Sequence, residues 1–104
     1  MSITDNLEKM LANGQDSAML RFGLGSAYFN DKLFEQAVPH LRACIEQDPG
    51  YSAAYKFLGK ALIKLGENEE ARSILEAGLP MAISKGDKQT EREIEAFLKK
   101  LSRA

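Results

Sequence analysis

LGSAYFNDKLFEQAVPHLRACI, residues 24–45, and LGKALIKLGENEEARSILEAGL, residues 58–79, are two copies of one pattern set 34 positions apart. In that register Leu24 pairs with Leu58, Gly25 with Gly59, Ala27 with Ala61 and Glu35 with Glu69. Ala37 pairs with Ala71, Leu41 with Leu75 and Ala43 with Ala77, all without a gap. Tyr28 falls opposite Leu62, and Ile45 opposite Leu79. A register held over that length marks a stacked architecture, in which each unit buries its apolar face only against a neighbour.

Each copy reads as two helices. In the first, Ala18, Leu20, Leu24, Ala27 and Tyr28 recur at helical spacing, with Asp16 or Ser17 placed to cap the start. Asn30-Asp31 breaks this helix. Phe34, Ala37, Val38, Leu41, Cys44 and Ile45 then form a second stripe, which must stop at Asp48-Pro49-Gly50. In the second copy Ala54, Phe57, Leu58, Ala61, Leu62 and Leu65 make the first helix, ended by Gly66. Asn68 is expected to cap a helix carrying Ala71, Ile74, Leu75, Leu79 and Ile83, closed near Gly86. Pro39 and Pro80 fall inside the second helices, where loss of an N–H donor predicts bent axes.

Both ends carry one more amphipathic segment. Ile3, Leu7, Met10 and Leu11 form a stripe that ends at Asn13-Gly14. Asp87 can cap a last helix built on Ile94, Phe97, Leu98 and Leu101, with Glu91, Arg92, Glu95, Lys99 and Lys100 on its outer face. Such helices suit the ends of a short stack, whose apolar faces need covering. The expected map is one domain: an N-terminal helix over 1–14, repeats over 17–50 and 51–85, and a capping helix over 86–104.

The pattern resembles the tetratricopeptide repeat family. The first copy carries the family motif at Leu24, Gly25, Tyr28, Ala37, Leu41 and Pro49, with Cys44 at its late small-residue position. The second carries it at Tyr55, Leu58, Gly59, Ala71 and Leu75, with Leu62 for the tyrosine and Gly78 for the late alanine. Arg21 departs from the opening aromatic, and Ile83 replaces the closing proline, which suits a longer second helix. The resemblance implies an all-α, right-handed α-solenoid of two helix pairs with an extra helix at each end. It is similar to small stand-alone bacterial members, for which the family implies binding rather than a particular pathway.

In the family, the first helix of each pair lines a concave groove that holds a peptide or a partner's helix. The resemblance carries those positions to Met19, Phe22, Ser26, Phe29 and Asn30 in the first copy, and to Ala53, Lys56, Lys60, Ile63 and Lys64 in the second. Spacing points the same way, because Phe22, Ser26 and Phe29 share a face that the core stripe does not use. Two readings stand for the phenylalanines: binding aromatics, or packing on the N-terminal helix. Two also stand for Lys56, Lys60 and Lys64, a basic rail at successive i+4 steps: a ligand contact, or a solvated face. The fitting partner has apolar anchors and a carboxylate, such as a C-terminus. Some members grip an acidic tail with a carboxylate clamp; Phe22 and Ser26 stand where its first lysine and asparagine would be, so the clamp is not expected.

The 104 residues include 14 basic and 15 acidic side chains, for a formal net charge of -1. That balance argues against binding nucleic acid by phosphate neutralisation, and it supplies no polybasic membrane anchor. Asp5 and Glu8 interrupt the first segment, so neither a signal peptide nor a membrane span is expected, and the cytoplasm is the expected location. One cysteine and one histidine allow no intrachain disulfide and no metal motif. His40 is expected on a solvated surface, and Cys44 as an inert buried thiol. Gly23-Leu24-Gly25-Ser26 lacks the strand and lysine of a phosphate loop. With no nucleophile–base pair or paired-carboxylate pocket, neither catalysis nor a cofactor is expected. The leading function is a protein-interaction adaptor or scaffold; the alternative is a self-associating module pairing through Ile3, Leu7, Met10 and Leu11, or through Phe97 and Leu101.

Overall fold

The computed structural model describes residues 3–103. The described chain is six helices: α1 (Ile3–Ala12), α2 (Ala18–Asn30), α3 (Phe34–Gln47), α4 (Ser52–Lys64), α5 (Asn68–Lys85) and α6 (Lys88–Arg103). Ser17 caps α2, its hydroxyl accepting the Leu20 N–H at 3.1 Å. Asp16 turns aside, pairing instead with Arg21 at 2.9 Å. Asn68 does not cap α5 as its position suggested. It is the first helical residue, and Glu67 holds the cap position without a side-chain hydrogen bond. Asp87 does cap α6, accepting the Thr90 N–H at 3.2 Å.

The turns after α2 and α4 are one device written with different residues. Lys32 lies at φ 62° and Gly66 at φ 80°, each in the left-handed region one repeat apart. Each turn closes the same way, with Leu33 N–H bonding Tyr28 C=O and Glu67 N–H bonding Leu62 C=O. Helices α3 and α5 continue through Pro39 and Pro80. With Ile83 in place of a closing proline, α5 runs 18 residues against 14 for α3.

Packing follows the repeat. Leu24, Leu41, Leu58 and Leu75 are fully buried, with Cys44 and Ile94 extending the same interior. A Cβ at Gly25 would stand 2.6 Å from the Leu41 side chain, and one at Gly59 would strike Leu75. Gly78 meets Tyr55 in the same manner, so three glycines set the distances between paired helices. Tyr55 is held from its other end, its hydroxyl donating to Pro49 C=O at 2.6 Å.

The two end helices are docked very differently. No residue of α1 is fully buried; Ile3 is 66% exposed and Met10 39%. Leu7 rests near Gly23, and Glu8 accepts the Tyr28 hydroxyl at 2.6 Å. In contrast, α6 buries Thr90, Ile94 and Leu101. Asp87 at its start accepts the Ser52 hydroxyl at 2.9 Å, and Arg72 donates to Leu101 C=O near its end at 3.1 Å. Leu101 is therefore core rather than a free stripe for self-association, and Phe97 is half-buried.

His40 is not the solvated residue its helix position suggested. Its side chain is only 14% exposed and stacks on Tyr28, centroids 5.7 Å apart. Arg21 donates to its Nδ1 at 3.1 Å, which fixes the neutral ring with hydrogen on Nε2. Burial pushes its pKa below the usual histidine value, with Glu8 pulling the other way. Burial likewise pushes the Cys44 thiol up to about 11, an unreactive state.

Candidate functional site

Helices α2, α4 and α6 start at residues 18, 52 and 88, so α6 takes the place a third repeat's first helix would take. These three lie side by side, α2 against α4 and α4 against α6. Behind them the backbones of α3 and α5 stand further apart, and the two helices meet through the long side chains of the Arg42–Glu70 ion pair. A layer closed on one side and splayed on the other curves toward its closed side. The concave face is therefore the one built from α2, α4 and α6.

Aromatic rings occupy the centre of that face. Phe22 lies 4.9 Å from Tyr51 and 5.6 Å from Phe57, centroid to centroid. Phe29 lies 5.2 Å from both Phe34 and Phe57. The two phenylalanines thus bridge α2 to its neighbours, and their ring partners come from α3, α4 and the turn before α4. All stay half-buried, so their edges are both mortar and surface. Ser26 is half-buried between them and donates to Gly23 C=O at 3.3 Å; Met19, at the start of α2, is 75% exposed.

The three lysines do not form a uniform rail. Lys56, 13% exposed, is bound to Glu93 of α6 at 3.0 Å. Lys60 places its ammonium 5.2, 5.7 and 5.6 Å from the ring centroids of Phe29, Phe57 and Phe97. Lys64 is exposed. Neither a plain solvated row nor a row of equivalent ligand contacts describes them. Beyond Lys60 the face opens into a hollow of about 510 Å³ that includes Ile63, Lys64, Asn68, Phe97 and Lys100.

Phe57, Glu93, Phe97 and Lys100 belong to this face and escaped the reading of the sequence. The first, third and fourth look like core or outer-face residues when each helix is taken alone. The available signal was the spacing of helix starts, which makes α6 a first helix by position. Among the described residues, no three His, Cys, Asp or Glu side chains gather as a metal site. None of the described helices is long and apolar enough to cross a membrane.

Comparison with known proteins agrees with this geometry. Two tetratricopeptide repeat profiles match, one over residues 29–82 and one over residues 5–52. The chain belongs to the tetratricopeptide repeat family. It is 52% identical over 100 residues to the TPR repeat-containing protein PA0015 of Pseudomonas aeruginosa, covering 96% of this chain and 95% of that one. The solution structure of BPP2914 from Bordetella parapertussis superposes with TM-score 0.83 at 47% identity, covering 99% of this chain and 90% of its own. The TPR2B domain of yeast Sti1, solved as a complex with pHsp70, gives TM-score 0.85 at 22% identity, over 96% of this chain and 80% of that domain. The tetratricopeptide repeat fold, an all-α right-handed solenoid, supports a protein–protein interaction module, and the family is generally non-catalytic.

Proposed function

We propose that this tetratricopeptide repeat chain is a non-catalytic adaptor or scaffold of the cytoplasm, taking up a partner's peptide on its α2–α4–α6 face. The carrying observation is chemical: half-buried phenylalanine edges border lysines on a concave surface, a pairing suited to an apolar anchor beside a carboxylate. The groove residues are Met19, Phe22, Ser26, Phe29, Lys56, Lys60, Ile63 and Lys64. Lys56 acts mainly through Glu93, and Phe22 mainly through packing. The yeast Sti1 domain, captured with pHsp70, supports a protein or peptide as the partner class for this fold.

The test is affinity capture on the wild-type chain beside a Ser26→Arg/Ile63→Glu variant, both shown folded by circular dichroism. A partner retained by the first and lost by the second supports the groove. Equal capture by both sinks it.

A second reading rests on α1. With no residue of that helix fully buried and Ile3 and Met10 exposed, its stripe is available to another copy. Sedimentation of wild type against Ile3→Glu/Met10→Glu decides this: a dimer abolished by the substitutions supports it, and a monomeric wild type excludes it.

A further inference from the structure

We infer that the hollow between α4 and α6 is a subsite for an acidic peptide segment in which an apolar side chain is flanked by aspartate or glutamate. The inference rests on the concave-face reading and adds where the charge is met and what meets it.

The lysines of this face differ in what they have left to offer. Lys56 is already neutralised by Glu93. Lys60, Lys64 and Lys100 have no carboxylate within ion-pair distance among the described residues. All three border the same hollow, and none of its lining residues is acidic. Lys60 and Lys100 both stand 5.6 Å from the Phe97 centroid, so one ring carries two ammonium groups. Lys64 lies one turn beyond Lys60 on α4. Each cation raises the cost of the next, and a ligand bearing more than one negative charge removes that cost.

The hollow is also apolar: Ile63 and Phe97 supply surface that a charged polymer alone would leave wet. Glu67, Glu69 and Glu70 follow in sequence just around Asn68, a neighbourhood that opposes a long polyanion. Side-chain carboxylates spaced about an apolar residue answer both features. The site differs from a terminal-carboxylate grip because the three free cations come from the second half of α4 and from α6, not from α2.

The probe is a twelve-residue random peptide library displayed on phage and selected on the full chain. Selected peptides are then made with amidated C-termini and titrated by fluorescence anisotropy. Expected are binders enriched in Asp or Glu around Leu, Ile or Phe, weakened by salt, and bound about tenfold more weakly by Lys64→Glu/Lys100→Glu. Both substituted residues are exposed, so circular dichroism should be unchanged. Binders without acidic enrichment, or with affinity unchanged in that variant, overturn the subsite. If Ser26→Arg/Ile63→Glu still loses those binders, the concave-face reading stands without it. Tighter binding of a twelve-residue oligothymidylate than of any selected peptide overturns the peptide as occupant. A library that yields no binder overturns both readings.

Discussion

Lys32→Gly should stabilise this protein, although it deletes a side chain and adds a glycine. Lys32 is the only described non-glycine residue at positive φ, at 62°, and Gly66 fills the equivalent place one repeat later at 80°. Holding an L-residue in the left-handed region costs roughly 1–2 kcal/mol, through crowding of Cβ against the carbonyl. Against that, glycine loses more backbone freedom on folding, roughly 0.5–1 kcal/mol. Lys32 is exposed, and among the described residues no hydrogen bond or ion pair holds its side chain, so the substitution removes little else. The difference leaves a gain of about 0.5–1 kcal/mol, equivalent to roughly 2–8 °C in a domain of this size. The reciprocal change, Gly66→Lys, should cost a similar amount. Urea unfolding followed by circular dichroism reads both, with an unchanged slope showing that the denatured state is not the cause. If Lys32→Gly lowers the midpoint, the left-handed conformation is not what limits that turn and the reasoning fails.

Other substitutions separate effects of the same kind. Gly23→Ala and Gly25→Ala, two positions apart on α2, should move stability in opposite directions. The first gains about 0.5–1 kcal/mol of helix propensity against one movable Leu7 methyl, while the second loses about 1–3 kcal/mol against buried Leu41; chemical denaturation compares them. Cys44 should react with a thiol reagent only as fast as the protein unfolds. Because its folded pKa is raised from 9.0 to about 11, stability is full below pH 9 and declines as pH rises toward 11, which Cys44→Ser should partly remove from the alkaline limb of a melt series. Hydrogen bonds from Arg21 and Gln47 hold the Asp16 carboxyl down to about 2 from 3.8. Its contribution is therefore present above the higher value and lost as pH falls through the lower, so Asp16→Asn should flatten the acid limb in that window. A double-mutant cycle on Lys56→Met and Glu93→Gln should give a coupling of about 1 kcal/mol, since the pair is partly shielded from water; zero coupling would mean that α6 is held without it.

The repeat made the fold legible. Leu24, Leu41, Leu58 and Leu75 announce themselves by period, and Gly25 and Gly59 by standing where a Cβ has no room. What stayed hidden depends on contacts between units. His40 looks outward on its own helix, yet α2 supplies Tyr28 and Arg21 to cover it. Lys56, Lys60 and Lys64 are identical letters at regular spacing, and only α6 makes them different, by bringing Glu93 to one and Phe97 to another. Asn68 has the right chemistry for a cap but sits one residue too late to act as one.

The placement of α6 links these observations. A helix that merely sealed the end of the stack would need an apolar face toward α5 and nothing else. Here α6 also leans on α4, and its start is tied to the start of α4 through Asp87 and Ser52. That second contact puts Phe97 and Lys100 on the concave side, where they extend a surface begun by Phe29 and Phe57. Two full repeats thus present three first-helix positions. The third, α6, carries no repeat motif. A glycine or alanine is demanded where paired helices touch closely, and among the described residues the glycines with that role, Gly25, Gly59 and Gly78, all lie in the α2–α3 and α4–α5 pairs. The charges that α6 brings decide which lysines of α4 are paired, Glu93 taking Lys56 and leaving Lys60 against the ring of Phe97.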